Sequence, residues 1–151
     1  MIRSILIGLA TGQRSLTPIA VVAHAARRGR AAPLPLLSNP IVATGLAGLA
    51  AAEMGGDKMK SAPDRIVPIG MAVRLITGAF AGAAVARQGH RRSGAALGAA
   101  AAVIGAYVGF DLRMRALRRY GQTPSGLVED ALTLASALAV TGGGRRAAPA
   151  R

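Results

Sequence analysis

The sequence predicts an all-α fold, a polytopic transmembrane bundle of four or five helices. The hydrophobic fraction is 52% and the mean hydropathy +0.40, yet aromatic residues are only 3% and tryptophan is absent, so the apolar mass is Ala, Leu, Val, Ile and Gly. Lipid supplies no hydrophobic drive between helices, and small residues let their backbones approach closely enough to gain dispersion contacts. The arginines have a matching distribution. Arg27, Arg28 and Arg30, then Arg87, Arg91 and Arg92, then Arg113, Arg115, Arg118 and Arg119, then Arg145 and Arg146 each follow an apolar run, where snorkelling residues contact anionic lipid headgroups. That placement argues against nucleic acid as the partner, despite a net charge of +13.

The chain has the length of one domain, expected over residues 1–141, with a disordered basic tail over 142–151. The first helix is expected from Ser4 to Ala26. Arg3 before an apolar stretch and Ala23-His24-Ala25 resemble a signal peptide, but Gln13 and Arg14 cut the apolar core well short of that site. The helix is therefore expected to be retained, bent where Pro18 removes a backbone donor. Ser38-Asn39-Pro40 pairs a capping residue with a first-turn proline and starts a second helix, Pro40 to Gly56. A third is expected from Ile66 to Ala86, with Arg74 inside it, and a fourth from Ser93 to Arg119. Thr123-Pro124 opens a fifth, which runs to Val140 with Glu129 and Asp130 near its start. Gly8 and Gly12, Gly78 and Gly82, Gly94 and Gly98, and Gly105 and Gly109 form Gly-x-x-x-Gly faces suited to helix packing.

The chemistry concentrates in the charges that interrupt apolar runs. Arg14, Glu53, Asp57, Arg74, Asp111, Glu129 and Asp130 fall within or at the edge of predicted spans. Each mid-span charge costs roughly 2.5–3.5 kcal/mol on insertion scales, so pairing is expected. Arg14 is expected to meet Asp111 and Arg74 to reach Glu53, Asp57 or Glu129, with Arg14 and Arg74 both candidates for the base beside Glu53 and Asp57. Glu53 and Asp57 are four residues apart, which gives them a common helix face directed to the bundle interior. His24 and His90 are expected at the membrane interface. Without cysteine, disulfides, thiol catalysis and zinc-thiolate sites are excluded, and no cofactor or metal is expected.

Ile7-Gly8-x-x-x-Gly12-x-Arg14 and Ile104-Gly105-x-x-x-Gly109-x-Asp111 share a phrase. If the first and fourth helices each cross the membrane, with two spans between them, this phrase would be an inverted repeat. Alternate loops then carry nine Lys/Arg on one side and eight on the other, which leaves orientation open and permits a dual-topology homo-oligomer.

Gly12-Gln13-Arg14-Ser15 with Pro18, Ala52-Glu53 with Asp57-Lys58 and Pro63, and Pro124 with Glu129-Asp130 resemble the domain of unknown function 4126 family of small bacterial membrane proteins over about Gly8 to Val140. The resemblance implies a multi-pass protein of the bacterial inner (cytoplasmic) membrane and implies no activity. Gly55-Gly56 and the long arginine-rich loops depart from that pattern.

Three functions are compatible with these residues. The first is a polar path between helices for a small solute or ion, lined by the intramembrane charges. The second is a structural or partner-binding membrane protein in which the same charges only lock the helices. The third is an intramembrane metal-dependent lipid enzyme using Glu53, Asp57 and Asp64 on Mg²⁺, for which the chain has no complete motif and no catalytic nucleophile in place.

Overall fold

The structure is a computed structural model that describes residues 1–29, 34–56 and 67–143. The described residues are all helix and connection, with no strand. The helices are α1 (Ile2–Gln13), α2 (Thr17–Arg27), α3 (Pro35–Ser38), α4 (Pro40–Gly56), α5 (Pro68–Val85), α6 (Arg91–Tyr120) and α7 (Gln122–Gly142). Two of them, α5 and α6, are long and apolar enough to cross a membrane. The basic tail beyond Gly143 and the carboxylates Asp57 and Asp64 lie outside the described residues.

The core is a three-helix sandwich of α1, α5 and α6, built on the absence of side chains. A Cβ added to Gly12 would meet the Ala102 carbonyl oxygen and the Ala106 nitrogen at 2.5 Å, and one on Gly105 would meet the Leu9 carbonyl oxygen at 2.5 Å. Gly78 and Gly82 of α5 press in the same way on Gly94 and Gly98 of α6. At such approach a methyl group has nowhere to go but into backbone, so these helices gain their contact energy by dispersion along the backbone. Gly98→Val should therefore drive α5 and α6 apart and cost about 3 kcal/mol or more. Gly45→Val, where a Cβ meets nothing within 4 Å, is expected to be mild. Chemical denaturation of the two variants in detergent checks this.

Helix directions follow from who touches whom. Ser4 Oγ donates to the Gly82 carbonyl at 2.9 Å and Arg74 Nε to the Gly12 carbonyl at 3.1 Å, so α1 and α5 are antiparallel. Gly8 lies on Gly98 and Ala101, and Gly12 on Ala102, Gly105 and Ala106, so α1 and α6 are parallel. Arg3 caps the last turn of α7 by donating from Nε to the Val140 carbonyl at 3.0 Å, while Arg14 pairs with Asp130 further back, so α7 runs against α1.

The largest departure from expectation is in the first segment, which is not one bent helix. It breaks completely at Arg14, whose backbone is extended (φ −135°, ψ 117°), and restarts at Thr17-Pro18. Pro18 serves in the first turn of α2, where its missing donor costs nothing. The new helix then doubles back. Ile19, Val22 and Ala23 share a core with Ile7, with Ala84 and Val85 at the end of α5, and with Ala137 and Val140 at the end of α7. A helix continuing the line of α1 would instead lie beside the start of α7. The α1–α2 pair is thus a helical hairpin whose tip is Arg14-Ser15-Leu16, about 17 Å of helix away from Arg3. Because α2 doubles back, α1 and α6 point the same way, and the expected inverted relation between them does not hold.

Outside this core the usual distribution of polarity is reversed. Arg14, Arg74, Ser4, Thr11, Thr17, Asp130 and Thr133 are buried, whereas Ile41, Ile69, Ile76, Ile104, Val108, Leu132 and Leu138 are exposed. Exposed apolar side chains of this size recur on α1, α4, α5, α6 and α7.

Candidate functional site at the hairpin tip

Breaking a helix leaves backbone groups without partners at both new ends, carbonyls on the C-terminal side and N–H groups on the N-terminal side. Here each end is met by a side chain of matching charge. The Glu53 carboxylate, near the end of α4, accepts from the Ser15 backbone N–H at 2.9 Å, the Ser15 hydroxyl at 2.6 Å and the Leu16 N–H at 2.9 Å. It therefore sits where the α2 dipole is positive. Arg74, in α5, donates from Nε to the Gly12 carbonyl at the negative end of α1, and from Nη1 to the Gly70 carbonyl in its own helix at 3.1 Å. Gln13 Nε2 contacts the Gly105 carbonyl of α6 at 3.4 Å.

Arg14 itself, at the tip, is 1% exposed and bridges to Asp130 of α7 at 2.5 Å. One turn of charge away, Arg113 of α6 pairs with Glu129 at 3.2 Å, and both side chains are nearly buried. The Arg74 guanidinium also lies within electrostatic reach of Glu53 and Glu129. Three arginines and three carboxylates from α4, α5, α6, α7 and the hairpin tip thus form one layer.

Five of the seven expected site residues, Arg14, Glu53, Arg74, Glu129 and Asp130, are brought together in that layer. Asp57 lies outside the described residues. Asp111 is elsewhere: its side chain is 57% exposed and pairs with Arg115 of the same helix at 2.6 Å, so the expected Arg14–Asp111 pair does not form. The reason is helical geometry, because Asp111 is two residues from Gly109 and points away from the face that Gly109 presents to α1. Arg113, four residues beyond Gly109, is on that face. The repeating interval Gly105, Gly109, Arg113 is the signal by which it could have been found, although the sequence groups it with headgroup-binding arginines. The hydrogen bonds of Glu53 go to backbone and hydroxyl donors at the hairpin tip, with the Arg74 guanidinium within electrostatic reach.

Two hydroxyls beside this layer stand out. Thr11, Thr77 and Thr141 each donate to the carbonyl four residues earlier, at 2.8 Å. Thr17 and Thr133 are as deeply buried, but their hydroxyls make no hydrogen bond among the described residues. No group of three His, Asp or Glu side chains with the geometry to hold a metal ion occurs among the described residues.

No protein-family model, curated protein or solved structure matches this chain.

Proposed function

We propose that the protein is a multi-pass membrane protein of the bacterial inner membrane, in which the re-entrant hairpin carries a charged tip into the apolar layer to form a polar site for a small ion or solute. The observation that carries this reading is the layer around Arg14, Glu53 and Arg74: a broken helix whose free ends meet charged side chains, enclosed by helices whose outward surface is Ile, Leu and Val. In water such a surface would be a large exposed apolar patch, whereas in hydrocarbon it is the expected exterior. Discontinuous helices with their ends aimed at a mid-depth site are a recurrent way of building an ion or solute site in a bilayer. In this arrangement α4, α5, α6 and α7 span and α1–α2 enters and returns. The α4 helix, about 26 Å long, reaches most of the way across a core of about 30 Å. Membership of the domain of unknown function 4126 family is part of the same proposal, supported by the part that Arg14, Ser15, Glu53, Glu129 and Asp130 of the resembling motifs take in one layer.

A second reading, in which the charges only lock the helices, is favoured by one observation: the Glu53 carboxylate accepts from the hairpin tip, and Arg74 donates to the Gly12 carbonyl of the hairpin and the Gly70 carbonyl of its own helix. Thr17→Val separates the two. It removes a hydroxyl that makes no hydrogen bond and keeps the side-chain shape, so a purely structural layer is left intact. Proteoliposomes loaded with chloride- and pH-sensitive dyes should leak ions through the native chain and at a changed rate through Thr17→Val, with unaltered melting. Absence of any protein-dependent flux would favour the structural reading.

Membrane residence has its own test. The chain is expected to stay in the membrane fraction through washes with high salt and alkaline carbonate, because its helices are held by hydrocarbon and not by headgroup charge. Release by carbonate would contradict it.

A further inference from the structure

The helices α4 and α7 both pack on α2 and stand apart from each other, which leaves a groove of about 390 Å³ along α2. Each helix gives it one face. Thr17, Val21, His24 and Arg28 come from α2, Ala43, Ala47, Ala50 and Met54 from α4, and Leu134, Leu138 and Thr141 from α7, in each case three or four residues apart. The alanines of α4 are too short to fill the space, and Ala47, Leu134 and Leu138 are exposed along it, so the groove opens outwards. Its charge lies at one end. Arg28 and His24 line the groove where α2 finishes, both are exposed, and neither side chain makes a hydrogen bond or ion pair among the described residues. About 16 Å of helix separates Arg28 from Thr17, which closes the deep end beside the hairpin tip. The Thr17 hydroxyl is itself enclosed, so the wall that an occupant meets between the two ends is Ala, Val and Leu.

We propose that this groove holds an anionic phospholipid, with the phosphate between Arg28 and His24 and an acyl chain along Ala47, Ala50, Leu134 and Leu138. Charge complementarity selects the occupant. A guanidinium and an imidazole N–H on one edge form a pair of donors for phosphate oxygens, and bonds of this charge-assisted kind are stronger than neutral ones. A second copy of the chain is a poor source of the anion. The sequence has nineteen Lys/Arg against six Asp/Glu, and of the described carboxylates Glu53, Glu129 and Asp130 are engaged in the layer and Asp111 with Arg115. Free phosphate would meet the two bases and leave the apolar wall bare, whereas a phospholipid brings charge and hydrocarbon in the order in which the groove presents their partners. Phosphatidylcholine carries the same phosphate but sets a cation beside Arg28, and phosphatidylglycerol does not. This inference rests on membrane residence and not on the hairpin tip having a transport role.

The test uses the full chain in nanodiscs of phosphatidylcholine into which phosphatidylglycerol is introduced stepwise, with bound lipid read by native mass spectrometry after release. Phosphatidylglycerol is expected to be retained about tenfold more tightly than phosphatidylcholine. His24→Gln with Arg28→Gln, both at exposed positions, should remove that preference and leave melting as in the native chain. Arg118→Gln with Arg119→Gln takes the same kind of charge from a surface that does not line the groove, and should leave the preference in place. Ala47→Phe, at an exposed position on the groove wall, should abolish retention of both lipids. Equal retention of the two lipids, a preference that is lost with Arg118 and Arg119 and kept without His24 and Arg28, retention unchanged in Ala47→Phe, or efficient disulfide crosslinking of two copies through Leu138→Cys would each overturn the proposal. A chain that enters the nanodisc and shows no lipid preference overturns this inference alone. A chain that does not enter overturns membrane residence with it.

Discussion

Glu53→Leu is expected to lower stability by about 4 kcal/mol, because it removes the shared acceptor of three donors at the hairpin tip. Hydrogen bonds to a charged group contribute roughly 1.5–3 kcal/mol each, and the Ser15 and Leu16 N–H groups at the start of α2 would lose the acceptor they share. Glu53→Gln keeps one good acceptor oxygen and should lose about half as much. The control is Asp111→Asn, which touches only an exposed pair within one helix and should shift stability by no more than about 0.5 kcal/mol. Denaturation in mild detergent, followed by circular dichroism, ranks the three. Equal effects of Glu53→Leu and Asp111→Asn would contradict the role given to the hairpin tip.

Asp130→Ala is expected to cost about 3–5 kcal/mol, the range found when one partner of a buried ion pair is removed and the other charge stays buried. Arg14 is among the most completely enclosed of the described side chains. The double variant Arg14→Met with Asp130→Leu should recover most of that loss, since two apolar side chains of similar size need no pairing. Recovery of assembly without recovery of ion flux in proteoliposomes would separate what the pair does for folding from what it does for passage. If the double variant proved less stable than Asp130→Ala alone, Arg14 and Asp130 would not be energetic partners.

Most of the helical architecture was legible in the sequence because its punctuation is local. A cap followed by proline at the first turn placed the start of α4 at Pro40, and two glycines placed its end at Gly56. The ends of α5, α6 and α7 fall within a few residues of the expected ones. The same start signal stands at Leu16-Thr17-Pro18, yet the apolar run continues across it, and a proline inside an apolar run reads equally as a kink. What decides between kink and break is tertiary: Glu53 and Arg74 must arrive from α4 and α5 to satisfy the open backbone, and neither arrival is written near Pro18. The same limit applies to pairing. That Arg14 and Arg74 need compensation follows from their apolar surroundings, and the interior direction of Glu53 from its place on α4. Which acid meets Arg14 depends on α7 lying antiparallel against α1, a consequence of the hairpin. With the first segment as a single span, Asp111 is the acid at the matching place in the apparent repeat.

Single-cysteine accessibility tests the proposed re-entry of the α1–α2 hairpin most directly, because the native chain has no cysteine to remove. Ile2→Cys, Arg28→Cys, Gln88→Cys and Tyr120→Cys, all at exposed positions, are treated in sealed vesicles with a membrane-impermeant maleimide applied from one side and then the other. A hairpin that enters and returns places residues 2, 28 and 88 on the same side and residue 120 on the opposite one. Labelling of residues 2 and 28 from opposite sides would show that the first segment crosses the membrane, and would contradict the placement of the Arg14, Glu53 and Arg74 layer at its tip.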